Sequence, residues 1–184
     1  DYLYASIEIL CTHYGHIGGL WFDGNWSRTD LSWNEDRLYQ MIRRHQPEAM
    51  IINNTGLNQQ GQTGHPEIDS VTFERGLPAM PDKAGWAKYV AGEMCHIMNQ
   101  HWGFAAHDFN FISPAGVIEN LASCRKVGAN LLMNIGLLAN GALPDYEAAA
   151  LRKAGEWVAM QPDAIYNGIP SPAVCQGRDF ILVH

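Results

Sequence analysis

The sequence predicts an α/β protein built on a parallel sheet, and three observations carry that expectation. Short apolar runs of strand length recur at residues 18–23, 50–52 and 130–135. Stretches with helical spacing of apolar residues alternate with them. Gly and Pro punctuate the joints, as strand–helix alternation around a parallel sheet requires. With 184 residues the chain is long enough to fill one core.

Each element has a local reason. Leu3, Ile7, Leu10, Cys11 and Tyr14 fall at helical intervals over residues 3–14, and Gly15 suits a C-terminal stop. Residues 18–23 form the first expected strand. Ser32-Trp33-Asn34-Glu35 has the S-x-x-E form of a capping box. The helix expected after it carries Leu38, Met41 and Ile42 on one face and ends before Pro47. Met50-Ile51-Ile52 is the next strand, with Asn53 and Asn54 at its tip. Residues 55–84 are rich in Gly and Pro, which marks a functional or disordered loop. Strand-like pieces interrupt the region at 70–73 and 93–98. Ser113-Pro114 supplies an N-cap and an N1 proline to a helix whose inner face is Val117, Ile118, Leu121 and Cys124. Asn130 to Ile135 is a strand, residues 145–160 a helix carrying Leu151, Ala154, Trp157 and Val158, and Asp179 to Val183 a short terminal strand.

Composition narrows the function classes. The apolar share of 47% and charged share of 17% are those of a globular protein. A net charge of −7 argues against nucleic acid or an anionic membrane as partner. No apolar run reaches the ~18 residues that suggest a membrane span. Cys11, Cys95, Cys124 and Cys175 form no C-x-x-C pair, and Cys11 and Cys124 fall in helical patterns where buried thiols are expected. The Cys11-Thr12-His13-Tyr14-Gly15-His16 run matches no zinc spacing, so no metal is expected. No phosphate-binding glycine loop and no G-x-S-x-G elbow occur.

The most informative run is Gly19-Leu20-Trp21-Phe22-Asp23-Gly24-Asn25-Trp26. A strand that ends in a carboxylate cannot end in the core, because an unpaired buried charge is very costly. Asp23 is therefore expected at a strand tip in a pocket, between Trp faces that suit a sugar ring. Asp-Gly is also a common turn pair, so Asp23 as a mere turn residue is the plain alternative. Further motifs follow in order: Ile51-Ile52-Asn53-Asn54, Asp69-Ser70-Val71-Thr72-Phe73-Glu74, Gly92-Glu93-Met94-Cys95, His101-Trp102-Gly103-Phe104, and Gly128-Ala129-Asn130-Leu131-Leu132-Met133-Asn134-Ile135-Gly136. Together they resemble the α-L-fucosidases of glycoside hydrolase family 29, from about residue 1 to about residue 168.

That resemblance implies a TIM-like (β/α) barrel of which this chain is the C-terminal portion only, since such barrels need about 250 residues. It implies residues 1–168 as part of the catalytic domain, with 169–184 as barrel closure or the start of a β-sandwich. It implies a retaining hydrolase of terminal α-L-fucose, needing no cofactor, whose partners are a fucosylated carbohydrate and the upstream half of its own domain. Asp23 takes the role of nucleophile. The acid/base is open among four carboxylates. Asp69 to Glu74 fits the D-x-x-T-x-E spacing and selects Glu74; Glu67 follows a His-Pro that resembles the T-P-E form of the same loop; Glu93 matches another acidic position near the site, and Asp69 is the fourth candidate. Trp21 and Trp102 match aromatic positions of the fucose pocket, with core packing as the plain alternative. Asn53 and Asn54 are expected at a strand tip facing the site. Thr55 stands where many members carry arginine, so a charged sugar contact is expected to be missing. The rival readings are a related barrel glycosidase of different sugar specificity and a catalytically incomplete, fucose-binding homologue.

Overall fold

Alternating apolar strands and amphipathic helices build two compact units in the computed structural model, which describes residues 2–80, 86–171 and 181–183. The first unit comprises Asp1–Thr72 and Pro81–Ala91. It holds α1 (Tyr2–His13), β1 (Gly19–Phe22), a single 3-10 turn at Asn25–Ser27, α2 (Glu35–His45), β2 (Met50–Asn53) and the start of β3 (Ser70–Glu74). β1 lies parallel to β2 from Gly19↔Met50 to Phe22↔Asn53, and β2 parallel to β3 at Ile52↔Ser70. The Ala91 amide donates to the Asp69 carbonyl at 2.8 Å, which begins the next strand. The core is built as the helical spacing demands: Ile7 and Cys11 of α1 and Leu38, Tyr39 and Ile42 of α2 close over Ile51 and Ile68.

The capping box does not form. Asn34 takes a left-handed conformation with φ 49° and caps α2 without a side-chain bond, and Glu35 is already helical. Glu35 is then the first residue of the helix rather than its third, so its carboxylate cannot reach back to Ser32. The Ser32 hydroxyl accepts the Asn34 amide at 3.4 Å instead, and the Glu35 carboxylate turns to two asparagine amides described below.

The second unit comprises Phe73–Met80 and Gly92–His184. It holds the end of β3, most of β4 (Ala91–Ile97), α3 (Pro114–Lys126), β5 (Ala129–Asn134), α4 (Asp145–Met160), α5 (Pro162–Tyr166), and the short strands β6 (Ile169–Pro170) and β7 (Leu182–Val183). β4 is parallel to β5 from Gly92↔Ala129 to Ile97↔Asn134, and the Arg75 amide donates to the Cys95 carbonyl at 2.8 Å. Strand order therefore follows chain order from β1 to β5, the arrangement expected of successive βα units. The cap at Ser113 forms as its sequence predicts, its hydroxyl accepting the Gly116 amide at 3.1 Å. Met98 and Val117 pack with Ala150 and Ala154, while Met94, Cys124 and Ala129 form a second cluster.

β6 and β7 pair antiparallel, apart from the five parallel strands. Of the expected terminal strand, Asp179 and Phe180 lie outside the described residues, as does Cys175. Cys11 and Cys124 are buried free thiols, and burial pushes both up, Cys124 to about 12, which leaves little thiolate to react.

Candidate active site

Asp23 follows the last residue of β1, where the chain turns sharply through Gly24 at φ +88° into the 3-10 turn. That turn swings Trp26 back over the carboxylate. One oxygen of Asp23, Oδ1, accepts three hydrogen bonds: from the Gly24 amide at 2.9 Å, the Trp26 indole N–H at 3.3 Å and the Asn54 amide group at 3.1 Å. Oδ2 accepts none from the described residues. The carboxylate is held through one oxygen, the arrangement a positioned nucleophile needs.

Asn54 is itself oriented. Its Oδ1 accepts from the Thr72 hydroxyl at 3.0 Å and the Gly56 amide at 3.2 Å, which leaves its NH2 to face Asp23. The strand-tip asparagine beside the carboxylate is thus Asn54 rather than Asn53. Successive strand residues point to opposite faces. Asn53 turns toward α2, where its amide donates to Tyr39 Oη at 3.0 Å and Glu35 Oε1 at 3.2 Å. Burial and then the Glu35 charge push the Tyr39 hydroxyl up to about 12. Asp23, Asn25, Glu35 and Asn53 share the wall of a small cavity of about 120 Å³ with Phe22 and Tyr39.

Glu67 and Asp69 are held by partners other than Asp23. Arg43 of α2 donates from Nε to Glu67 at 2.8 Å and from Nη2 to Asp69 at 2.6 Å. Lys88 donates to the other Asp69 oxygen at 2.7 Å, and the Ile51 amide to Asp69 Oδ2 at 2.7 Å. These bonds hold Asp69 at the N-terminal end of β2 and β3, whereas Asp23 leaves the C-terminal end of β1. Burial raises the Asp69 pKa, but the bonds from Lys88, Arg43 and Ile51 outweigh it and the net shift is downward.

Glu74 is half-buried and is the last residue of β3, a strand-tip position. Glu93 lies early in β4, is buried, and accepts from the Asn130 amide at 2.8 Å. Trp21 is partly exposed within β1, and Trp102 is partly exposed in the loop after β4. Thr55 is buried, with its hydroxyl on the Gln59 carbonyl at 2.7 Å, in an uncharged loop.

The second unit braces the loop that carries Trp102. The Asn134 side chain donates to the Trp102 carbonyl. Gly136 lies so close to the same loop that a Cβ there would stand 2.2 Å from the Phe104 nitrogen. Asp108, buried, accepts from the Gln100 amide at 2.8 Å, the Asn110 amide at 3.0 Å and His101 Nδ1 at 2.7 Å, with the imidazole donating as the Nδ1–H tautomer. The Asn110 amide, then His101, holds the Asp108 carboxyl below its ordinary range. The N-L-L-M-N-I-G and H-W-G-F motifs thus meet in the fold. Asp108 takes a place in this geometry that spacing alone did not assign, since it depends on which way the side chain turns. Among the described residues no group of three or more His, Cys, Asp and Glu side chains is placed to share a metal ion.

The family profile described as Alpha-L-fucosidase matches residues 1–163. An α-L-fucosidase of Branchiostoma floridae is 25% identical over 168 residues, which are 90% of this chain and 36% of that protein. The chain therefore spans about a third of the length of that relative. Among solved structures, α-L-fucosidase isoenzyme 1 from Paenibacillus thiaminolyticus superposes with a TM-score of 0.78 and 30% identity, covering 94% of this chain and 42% of that one. An α-L-fucosidase from Lactobacillus casei, in complex with α-L-fucose product, gives a TM-score of 0.64 and 26% identity over 86% of this chain and 44% of that one.

Proposed function

The chain belongs to the α-L-fucosidase family, and from that premise we propose that it carries the nucleophile and the acid/base of a retaining α-L-fucosidase, as the C-terminal part of a (β/α)-barrel catalytic domain. The observation that carries the reading is the carboxylate of Asp23, with three donors on Oδ1 and, among the described residues, none on Oδ2. In the first step Asp23 Oδ2 attacks the anomeric carbon of an α-L-fucoside, and the bond to the leaving oxygen breaks. Glu74 gives its proton to that oxygen. In the second step Glu74 takes a proton from water, the water oxygen attacks the anomeric carbon, and the ester to Asp23 is released with fucose formed. The donors on Oδ1 hold the carboxylate in line for both steps.

Glu74 is assigned the acid/base because it ends β3 and fits the D-x-x-T-x-E spacing. Glu67 and Asp69 are spent on Arg43 and Lys88. Trp21 and Trp102 are the aromatic walls in this reading, suited to the apolar face and methyl group of fucose. Asn53 and Glu93, committed to hydrogen bonds in the interior, support their strands rather than touch the sugar. The substrates are fucosylated oligosaccharides or glycans, and no cofactor enters either step.

The direct test uses 4-nitrophenyl glycosides. The protein carrying this chain is expected to release nitrophenol from the α-L-fucoside and to leave the β-anomer intact. Equal or faster hydrolysis of an α-galactoside would pass the reading to a barrel glycosidase of different specificity.

A further inference from the structure

Among the described residues two that are not glycine hold a positive φ, Asn34 at 49° and Arg75 at 52°. Asparagine takes that conformation readily, because its short side chain can bond nearby backbone. Arginine has no such compensation, so Arg75 sits in a strained backbone state. Strain of this kind persists where the surroundings over-determine it, and it gathers at working sites. Arg75 directly follows Glu74, the last residue of β3 and the acid/base of the proposed reaction.

The groups that hold Arg75 lie within the second unit. Its amide donates to the Cys95 carbonyl of β4 at 2.8 Å, which pins the backbone where the turn begins. On the other side of Glu74, Phe73 is buried. The side chain supplies a further hold. Nη2 of the exposed Arg75 donates to Gln100 Oε1, a long bond at 3.5 Å. Gln100 is itself moored: its amide donates at 2.8 Å to the buried Asp108, the carboxylate that also takes the Asn110 amide and His101 Nδ1. The tie therefore runs from the residue after Glu74 to the braced loop that carries Trp102. A glycine at position 75 would take the same φ without strain. It would also leave the turn untethered, with no side chain to hold and the widest choice of φ and ψ.

An acid delivers its proton only when its carboxyl is within hydrogen-bond reach of the leaving oxygen. Glu74 stands at the end of its strand, where the turn that follows decides its direction. We propose that Arg75 is a positioning residue for the acid/base: its strained turn and its tie to Gln100 together aim the Glu74 carboxyl at the leaving oxygen. This inference rests on the reading of Glu74 as the acid/base, and the experiment separates the two.

The protein carrying this chain is assayed on 4-nitrophenyl α-L-fucoside, whose leaving group needs little protonation, and on methyl α-L-fucoside, whose leaving group needs much. The readout is the ratio of kcat/KM on the aryl substrate to that on the methyl substrate. A general loosening of the fold lowers both rates and leaves the ratio alone, whereas a misaimed acid raises it. Glu74→Ala sets the upper limit, with an expected rise of about a hundredfold or more. Arg75→Gly relieves the strain and removes the tie together, and is expected to raise the ratio about tenfold. Gln100→Ala cuts the same tie from its far end, in an exposed side chain, and keeps the backbone amide on Asp108. It is expected to raise the ratio about threefold, the worth of one hydrogen bond. Arg75→Lys, which keeps a donor for Gln100, is expected to hold the ratio nearer to wild type than Arg75→Gly does. An unchanged ratio in Arg75→Gly or in Gln100→Ala overturns the positioning role, whatever happens to the melting temperature. An unchanged ratio in Glu74→Ala overturns the acid/base reading itself.

Discussion

Asp23, Asp69 and Glu74 are three carboxylates of one chain, and the proposed function gives them different roles. Asp69 is held by Arg43, Lys88 and the Ile51 amide, which is the environment of a structural anchor. Its folded pKa is lowered, so its contribution to stability is complete above its unfolded pKa and is lost as pH falls through the lower folded value. Asp69→Asn is expected to cost roughly 1–3 kcal/mol in chemical denaturation at neutral pH, and the deficit is expected to shrink in acid below its unfolded pKa. It is expected to leave the dependence on leaving group unchanged. Glu74→Ala is expected to do the reverse: little loss of stability, but a far larger loss of rate on fucosyl-sugars than on aryl fucosides, whose leaving groups need little protonation. The same sensitivity to leaving group in Asp69→Asn would move the acid/base assignment to Asp69. The sequence exposed Asp23 because a charged residue at the end of an apolar strand is anomalous by itself. It did not expose the fate of Glu67 and Asp69, because Arg43 lies 24 and 26 positions away and only the fold brings it across.

At the scale of elements, the motifs act by supporting one another. β5 ends in Asn134, and Gly136 just beyond it approaches the backbone of the Trp102 loop too closely for any side chain. Gly136→Ala is expected to push that loop away and to cost roughly 1–3 kcal/mol, the range of overpacked sites. A melting curve of the variant checks the cost, and a change in Trp fluorescence checks the displacement. Unchanged stability and fluorescence would mean that the close approach is relaxed in solution. The helices and strands were legible where one local rule decided them. The Ser113-Pro114 start and the helix ending before Pro47 are of that kind. The capping box failed because the left-handed Asn34 started the helix late, a backbone choice that S-x-x-E spacing does not encode. β3 was only partly legible: Ser70 and Thr72 are polar yet buried, so its hydrophobic pattern is broken.

Over the whole molecule the residues to which the proposed function gives chemistry follow one rule. Asp23 comes after β1, Asn54 after β2, Glu74 ends β3, and Trp102 follows β4. Function at the C-terminal ends of parallel strands is what α/β folds provide, because the loops there vary while the strands stay fixed. The parallel sheet was legible from the alternation of patterns, and the family from the order of motifs. Which asparagine touches Asp23 was not, because it depends on the face each strand residue takes. The central claim is that Asp23 forms a covalent bond to fucose. The measurement that tests it most directly is mass spectrometry of the protein carrying this chain after reaction with a 2-deoxy-2-fluoro-α-L-fucosyl fluoride, whose glycosyl-enzyme turns over slowly. The expected result is one fluorofucosyl group on the peptide spanning Trp21 to Asn25, attached at Asp23. An active enzyme labelled on another carboxylate, or turning over the reagent without any covalent label, would contradict the account.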